Sequence, residues 1–219
     1  MTTGNYIIFE GSEGVGKSKL ALRMAQHLNA LYTFEPYRGE DLPLCSEIFK
    51  ICCSKETYPD LTTKAREILL LAGRSISQEM IVRPVLEKGE TVVTDRSYIS
   101  GMVYAMMEGV DHHHWQHIAY ACKVLIKPDL VVLVKNKENR PKKAENDRYD
   151  HEGEKFFRHV ESNFDYCLKE LEYLMGWSKD IVYTFENDFN YTQEENFKRL
   201  LKELGDREFL KLGEYNDKL

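Results

Sequence analysis

Residues 6–18 read YIIFEGSEGVGKS, an apolar run that breaks into a glycine-rich turn and closes on a lysine and a serine. Gly11 to Ser18 fits G-x-x-x-x-G-K-S, and the surroundings are those the pattern requires. Tyr6–Phe9 reads as a buried strand, and from Lys17 onward Leu20, Ala21, Met24, Ala25 and Leu28 recur at helical spacing. Glycines let the backbone curl so that successive N–H groups converge on an anion, and the helix start adds partial positive charge. The ligand implied is a nucleoside triphosphate with Mg²⁺. Gly11, Ser12, Gly14, Val15, Gly16 and Lys19 would surround its phosphates, Lys17 would bridge the β- and γ-groups, and Ser18 would ligate the metal.

Outward from this loop, short β-rich runs alternate with helical patterns. Strands are expected at Leu31–Glu35, Thr91–Thr94, Leu130–Lys135 and Ile181–Phe185. Helices are expected at Thr63–Lys88, bent by Pro84 and capped by Gly89, and at Glu194–Leu204. A further helical face is formed by Phe157, Val160, Phe164, Leu168, Leu171 and Leu174. Strands separated by helices imply an α/β fold, a parallel sheet covered on both faces. With no repeat or linker, residues 1–219 read as a single domain.

After the third strand stands TVVTDRSYISG. A carboxylate at the C-terminal end of that strand faces the phosphate loop, so Asp95 is a second candidate for Mg²⁺ and Arg96 a candidate for a second anion. A GTPase reading fails, because Asn136-Lys137-Glu138 is followed by Asn139 rather than a carboxylate and no D-x-x-G follows Thr94.

The series FEGSEGVGKS, FEPYRGE, ILLLAGR, DRSYISGMVYA, KPDLVVLV and NDRYD resembles the thymidylate kinases in order and spacing, from Tyr6 to about Gly205. The resemblance implies a P-loop NTPase fold with a five-stranded parallel sheet, and transfer of the ATP γ-phosphoryl to dTMP. It implies that Glu13 lies near the acceptor's sugar and phosphate, that Arg96 and the turn holding Tyr37 and Arg38 contact the acceptor phosphate, and that Arg74 donates to the pyrimidine O4. Tyr104 would lie by the sugar, and Ser100, Gly101 and Tyr149 would belong to the same substrate site. A mobile basic lid over about residues 136–150 would supply Arg148 or Arg140 to the transferring group, since Gly14 stands where some members have a basic residue. A homodimer is also implied.

This chain departs from that pattern at Leu70, where the family usually has a Phe that stacks on thymine. Phe34 and Tyr37 are the alternative stacking candidates. Two other activities remain open: a deoxynucleoside monophosphate kinase of wider base range, and a deoxynucleoside kinase. The second is disfavoured because Arg96 and Arg38 would then have no acceptor anion to bind.

The bulk properties set the remaining bounds. A net charge of −6 argues against a nucleic-acid partner. The apolar runs Ile68–Ala72 and Leu130–Val134 are too short to span a bilayer, and the first residues lack a signal-peptide pattern. Five cysteines without a CxxC pair suit a reducing cytoplasm. The run Asp111-His112-His113-His114-Trp115-Gln116-His117 reads as a solvated helix capped by Asp111 rather than a metal site.

Overall fold

The computed structural model describes residues 4–53, 58–122, 124–136 and 154–205. Five parallel strands form its sheet: β1 (Tyr6–Glu10), β2 (Leu31–Phe34), β3 (Val92–Asp95), β4 (Leu130–Asn136) and β5 (Val182–Asn187). Their order is β2-β3-β1-β4-β5. Side chains alternate across a pleated strand, and the two faces separate cleanly here. Ile7, Phe9, Val93, Val132 and Val134 pack with Leu20 and Met24 of α1 (Lys17–His27) and with Phe197 and Leu200 of α8 (Gln193–Leu204). Tyr6, Ile8, Val92, Val131 and Leu133 face the other side. There they meet α3 (Thr63–Ser77), α4 (Arg83–Glu87), α5 (Tyr98–Met107), α6 (His112–Ala121) and α7 (Glu154–Met175). Every residue of β1 is buried, which is why its sequence shows a continuous apolar run rather than an alternation.

A central strand flanked by β3 and β4 creates a crevice at its C-terminal end, where the connections leave in opposite directions. Register aligns Phe9 with Asp95, Phe34 with Asp95, and Asn136 with Asn187, so the last residues of the strands open onto one edge.

Several expected elements differ in detail. The pattern expected as one helix over 63–88 is interrupted by a π-helical turn at Gln78–Val82 before α4. Pro84 enters at the first positions of α4, where a missing N–H is tolerated. Gly89, at φ 81°, then ends α4: its N–H donates to the Leu86 carbonyl and that of Glu90 to Val85. Leu174, expected on the buried face of α7, is half exposed, whereas Val160, Phe164, Leu168 and Leu171 are buried. Two helices had no counterpart in the strand–helix reading, α2 (Pro43–Cys53) and α5. Asp111 caps α6 as expected, accepting from the N–H groups of His113 and His114. No described helix is long and apolar enough to cross a membrane.

Candidate functional site

One cavity of about 910 Å³ runs along the C-terminal edge of the sheet. Its centre is the loop between β1 and α1. Gly11, Gly14 and Gly16 hold φ of 140°, 72° and 88°, conformations that a side chain would strain. At Gly16 a Cβ would also stand 2.4 Å from the Asn187 Nδ2 atom, which donates to the Val15 carbonyl at 2.8 Å. Asn187, the last residue of β5, therefore holds the loop from outside, two positions beyond the end of the strand expected at 181–185.

Lys17 opens α1 but lies almost wholly buried, its Nζ 3.4 Å from the Ser12 carbonyl. Burial pulls its ammonium down to about 7; the neighbouring Arg96 pulls the same way, while Asp95, Glu13 and Glu10 oppose. Ser18 and Lys19 are exposed at the mouth. Asp95 ends β3 with its Oδ1 buried and without a hydrogen-bond partner among the described residues. An unpaired carboxylate oxygen and an exposed serine at the head of α1 suit a hard divalent cation bound beside phosphate.

Arg96 follows Asp95 in a left-handed backbone conformation, φ 69°, uncommon for a residue with a Cβ. Two bonds pin it there: its N–H donates to the Phe9 carbonyl at 2.8 Å, and the Thr94 hydroxyl donates to its carbonyl at 2.8 Å. Its guanidinium donates to the Gly11 carbonyl at 3.2 Å and to Ser100 Oγ at 2.9 Å, lies 3.6 Å from Glu13 and sits over the Tyr104 ring. Burial works against that charge, but Tyr104, Glu13, Asp95 and Glu10 outweigh it and hold the guanidinium above its ordinary value.

Beneath Arg96 lies Glu10, fully buried. It accepts from the hydroxyls of Ser97 at 2.7 Å and Ser100 at 2.6 Å and from the Ser100 N–H at 3.2 Å. Burial raises its carboxyl, and the serine bonds and Arg96 favour the charged form. Glu10 thus sets Ser100, and Ser100 sets Arg96.

A second wing of the cavity contains Phe34, Arg38, Phe49, Cys52, Cys53, Arg66, Glu67, Leu70, Arg74, Gly101 and Tyr104. Arg74 is buried, donates to Glu35 at 3.2 Å, and presents an Nη1 with no partner among the described residues. Glu35 also accepts from Gln78 at 2.6 Å, and burial raises its carboxyl to about 7 against the pull of Arg74. Leu70 packs with Ile48 and Cys52. Phe34 and Tyr37 stack on one another at 5.2 Å, and Arg38 lies over Phe34 and Phe49. Tyr37 is not among the cavity's lining residues; its hydroxyl donates to Asp41, so the ring backs Phe34 instead of facing a ligand.

A third wing, past Gly16 and Lys19, contains Arg23, Asn187, Phe189, Tyr191, Thr192 and Asn196. Asn196 shapes this turn by donating to the carbonyls of Asp188, Tyr191 and Thr192.

Of the residues expected from sequence, Glu13, Gly14, Gly16, Lys17, Ser18, Lys19, Phe34, Arg38, Leu70, Arg74, Asp95, Arg96, Ser100, Gly101 and Tyr104 line this one cavity. Arg140, Arg148, Tyr149 and all but the first residue of the expected lid lie outside the described residues. Sequence reading missed Glu10, Glu35, Glu67 and Asn187. The first two carried a signal, a carboxylate at the end of an apolar strand. Glu67 carried another, seven places before Arg74 and therefore on the same helix face.

The family model for thymidylate kinase matches residues 9–180. A probable thymidylate kinase of Methanococcus vannielii is 32% identical over 130 residues, 59% of this chain and 59% of that protein. The chain thus spans less than two thirds of the length of that relative. A thymidylate kinase of Helicobacter acinonychis is 26% identical over 172 residues, 75% of this chain and 84% of that one. The crystal structure of a thymidylate kinase from Ehrlichia chaffeensis superposes with a TM-score of 0.64 at 19% identity, covering 90% of this chain and 98% of that one. That likeness carries the fold, a P-loop α/β architecture.

Proposed function

We propose that this chain, which belongs to the thymidylate kinase family, transfers the γ-phosphoryl group of ATP to the 5′-phosphate of dTMP, giving ADP and dTDP. The observation that carries the reading is the single cavity joining a phosphate loop to an arginine-lined wing. The Arg96 guanidinium stands 3.2 Å from the Gly11 carbonyl, so two phosphates held by loop and arginine would meet. A phosphate oxygen of dTMP attacks the γ-phosphorus in line, the bond from γ-phosphorus to the β–γ bridging oxygen breaks, and ADP leaves.

This chain's residues divide the work. Backbone N–H groups from Gly11 to Ser18 receive the donor's phosphates, and the third wing takes its nucleoside. Lys17 carries charge to the β- and γ-groups, and Arg96, seated by Glu10 and Ser100, holds the acceptor phosphate with Arg38. Glu13 and Tyr104 flank the acceptor sugar, and Arg74 donates to the base carbonyl. Ser18 and Asp95 would hold Mg²⁺, which would supply positive charge against the donor phosphates. Positioning and charge, not covalent chemistry, supply the rate.

Leu70 favours a second reading, a kinase of wider base range, because leucine offers the base no aromatic face. A homodimer and a cytoplasmic setting complete the proposal. The first rests on the family resemblance, the second on an odd number of cysteines with no CxxC pair. The test is ADP release from MgATP with dTMP, dUMP, dCMP, dGMP and thymidine in turn, for the parent protein and Lys17→Met. Turnover with dTMP that Lys17→Met abolishes is expected. Turnover with thymidine only would overturn the assignment of Arg96 to an acceptor phosphate, and near-normal activity in Lys17→Met would overturn that of the loop.

A further inference from the structure

Two buried polar atoms in the second wing have no hydrogen-bond partner among the described residues, and they are of opposite kinds. Nη1 of Arg74 is a donor; Oε2 of Glu67 is an acceptor. Both residues belong to α3 and line the cavity, with only 4% and 5% of their surface exposed. Leaving one such group unpaired is unfavourable, the more so when it is charged. A complementary pair of them in the wall of a substrate cavity therefore points to a ligand that pairs with both.

Their spacing suits a flat one. Seven positions put Glu67 and Arg74 on one face two turns apart, with Leu70 between them on the same wall. Helical side chains lean toward the N-terminus, which is the direction from Arg74 to Glu67. The two feel each other. Burial raises the Glu67 carboxyl to about 7; Arg74 is the strongest influence opposing it, and Glu108 and Arg66 then act in opposite directions. A hydrogen bond from the Trp115 indole adds a smaller pull toward the charged form, leaving the carboxylate further acceptor sites. The wall thus offers an apolar floor, an N–H on one side and a carboxylate oxygen on the other.

We propose that Glu67 is a specificity-determining residue of the acceptor site, taking the ring N–H of the base while Arg74 donates to the adjacent carbonyl. The proposal rests on the acceptor-site reading given above. It selects bases that present a carbonyl beside a ring N–H, which are thymine, uracil and guanine. Cytosine and adenine present an amino group beside an unprotonated ring nitrogen. In this seat they would set amino hydrogens against Arg74 and a lone pair against the carboxylate, two repulsions in place of two bonds. Leu70 cannot sort bases by ring stacking, so the polar pair makes the choice.

Calorimetric affinities at pH 8 for dTMP, dCMP and N3-methyl-dTMP, measured on the parent protein and on Glu67→Gln, test this. The parent protein is expected to bind dTMP ~10- to 100-fold more tightly than either other ligand, the span of one charge-assisted hydrogen bond. In Glu67→Gln the carboxamide can turn its oxygen or its NH₂ toward the base, so the preference for dTMP over dCMP should fall at least about tenfold. A merely structural role for Glu67 would weaken all three ligands together, and an unchanged dTMP:dCMP ratio overturns the proposal. N3-methyl-dTMP makes the test independent of how the variant folds: equal affinity of the parent protein for dTMP and its methylated form also overturns it. Selective binding without dTDP formation would defeat the kinase reading and leave this one standing. No binding of any monophosphate would defeat both.

Discussion

Alanine at Gly101 perturbs the acceptor wing without removing a polar atom. On α5, a Cβ at this position would stand 2.8 Å from Arg74 Cζ, 2.8 Å from Trp115 Cζ2 and 3.0 Å from Arg74 Nη1. Trp115 is fully buried and has nowhere to go, so the guanidinium must yield. Ordinary contact begins at 3.4 Å, which means a displacement of about 0.6 Å at Arg74. Arg74 is held by Glu35 on its far side, so part of that movement comes out of the 3.2 Å ion pair. Overpacking costs ~1–3 kcal/mol and the helical Gly→Ala exchange returns ~1, a net loss of ~0–2 kcal/mol. At ~2–4 °C per kcal/mol for a chain of this size, the melting temperature should fall by no more than about 8 °C. Function should suffer more, because a misplacement of ~1 Å at a positioning group costs ~100-fold. Steady-state kinetics with dTMP and ATP varied in turn, beside a thermal melt, should show the KM for dTMP raised ~10-fold or more and the KM for ATP unchanged. An unaltered dTMP KM in a folded Gly101→Ala protein would refute the assignment of Arg74 to the base.

Two further outcomes follow from the same wall and loop. Lys17 has its ammonium pulled from the ordinary 10.5 to about 7 by burial and Arg96, so at pH 8 the empty protein holds this amine mostly neutral, and a triphosphate restores its charge. ATP binding at pH 8 should therefore take up close to one proton more than in Lys17→Met, with the difference fading as pH falls below 7. Calorimetry in two buffers of different ionisation heat reads it directly, and equal proton counts for the two proteins would contradict the shift. Leu70→Phe should raise the preference for dTMP over dGMP ~2- to 10-fold, the worth of one aromatic contact, with some loss of stability from crowding Ile48 and Cys52; an unchanged ratio in competition kinetics would mean that no base lies against residue 70.

The central strands β1, β3 and β4 were legible because they are buried on both faces, and the phosphate loop because it is a local device. The apolar run Tyr6–Phe9, breaking at Glu10 into the glycines, announces strand, turn and anion at once. What sequence did not reveal was set by contacts between distant segments. The π turn at Gln78–Val82 leaves apolar spacing nearly unchanged, so one long helical pattern concealed it. Asn187 gained its role from lying 2.8 Å from a carbonyl 172 residues earlier, a relation no spacing rule encodes. Tyr37 was named with Phe34 as a base-stacking candidate because the two lie close in the chain; in space one ring hides behind the other. Among the buried carboxylates, Glu35 stands at the end of an expected strand, and only the approach of Arg74 and Gln78 from distant positions makes it a buried partner.

Those carboxylates explain how an acidic protein can receive two polyanions. Lys17, Arg74 and Arg96 face one cavity, and beside burial the Arg96 charge pulls the Lys17 ammonium down, as repulsion between the two requires. Each arginine is met by a carboxylate: Glu10 through Ser100 and Glu13 at 3.6 Å for Arg96, and Glu35 at 3.2 Å for Arg74. The contacts differ in kind. Glu10 and Glu35 are hydrogen-bonded and buried and keep the guanidinium planes oriented when no substrate is present. Glu13 stands too far from Arg96 for a strong bond, so a phosphate can displace it at little cost. In the proposed reaction, binding would be an exchange of one anion for another at an arginine already aimed, with little reorganisation left for the transfer step. The overall charge of −6 is compatible with this chemistry because the phosphates meet oriented cations at close range, where local geometry outweighs the screened field of the whole chain.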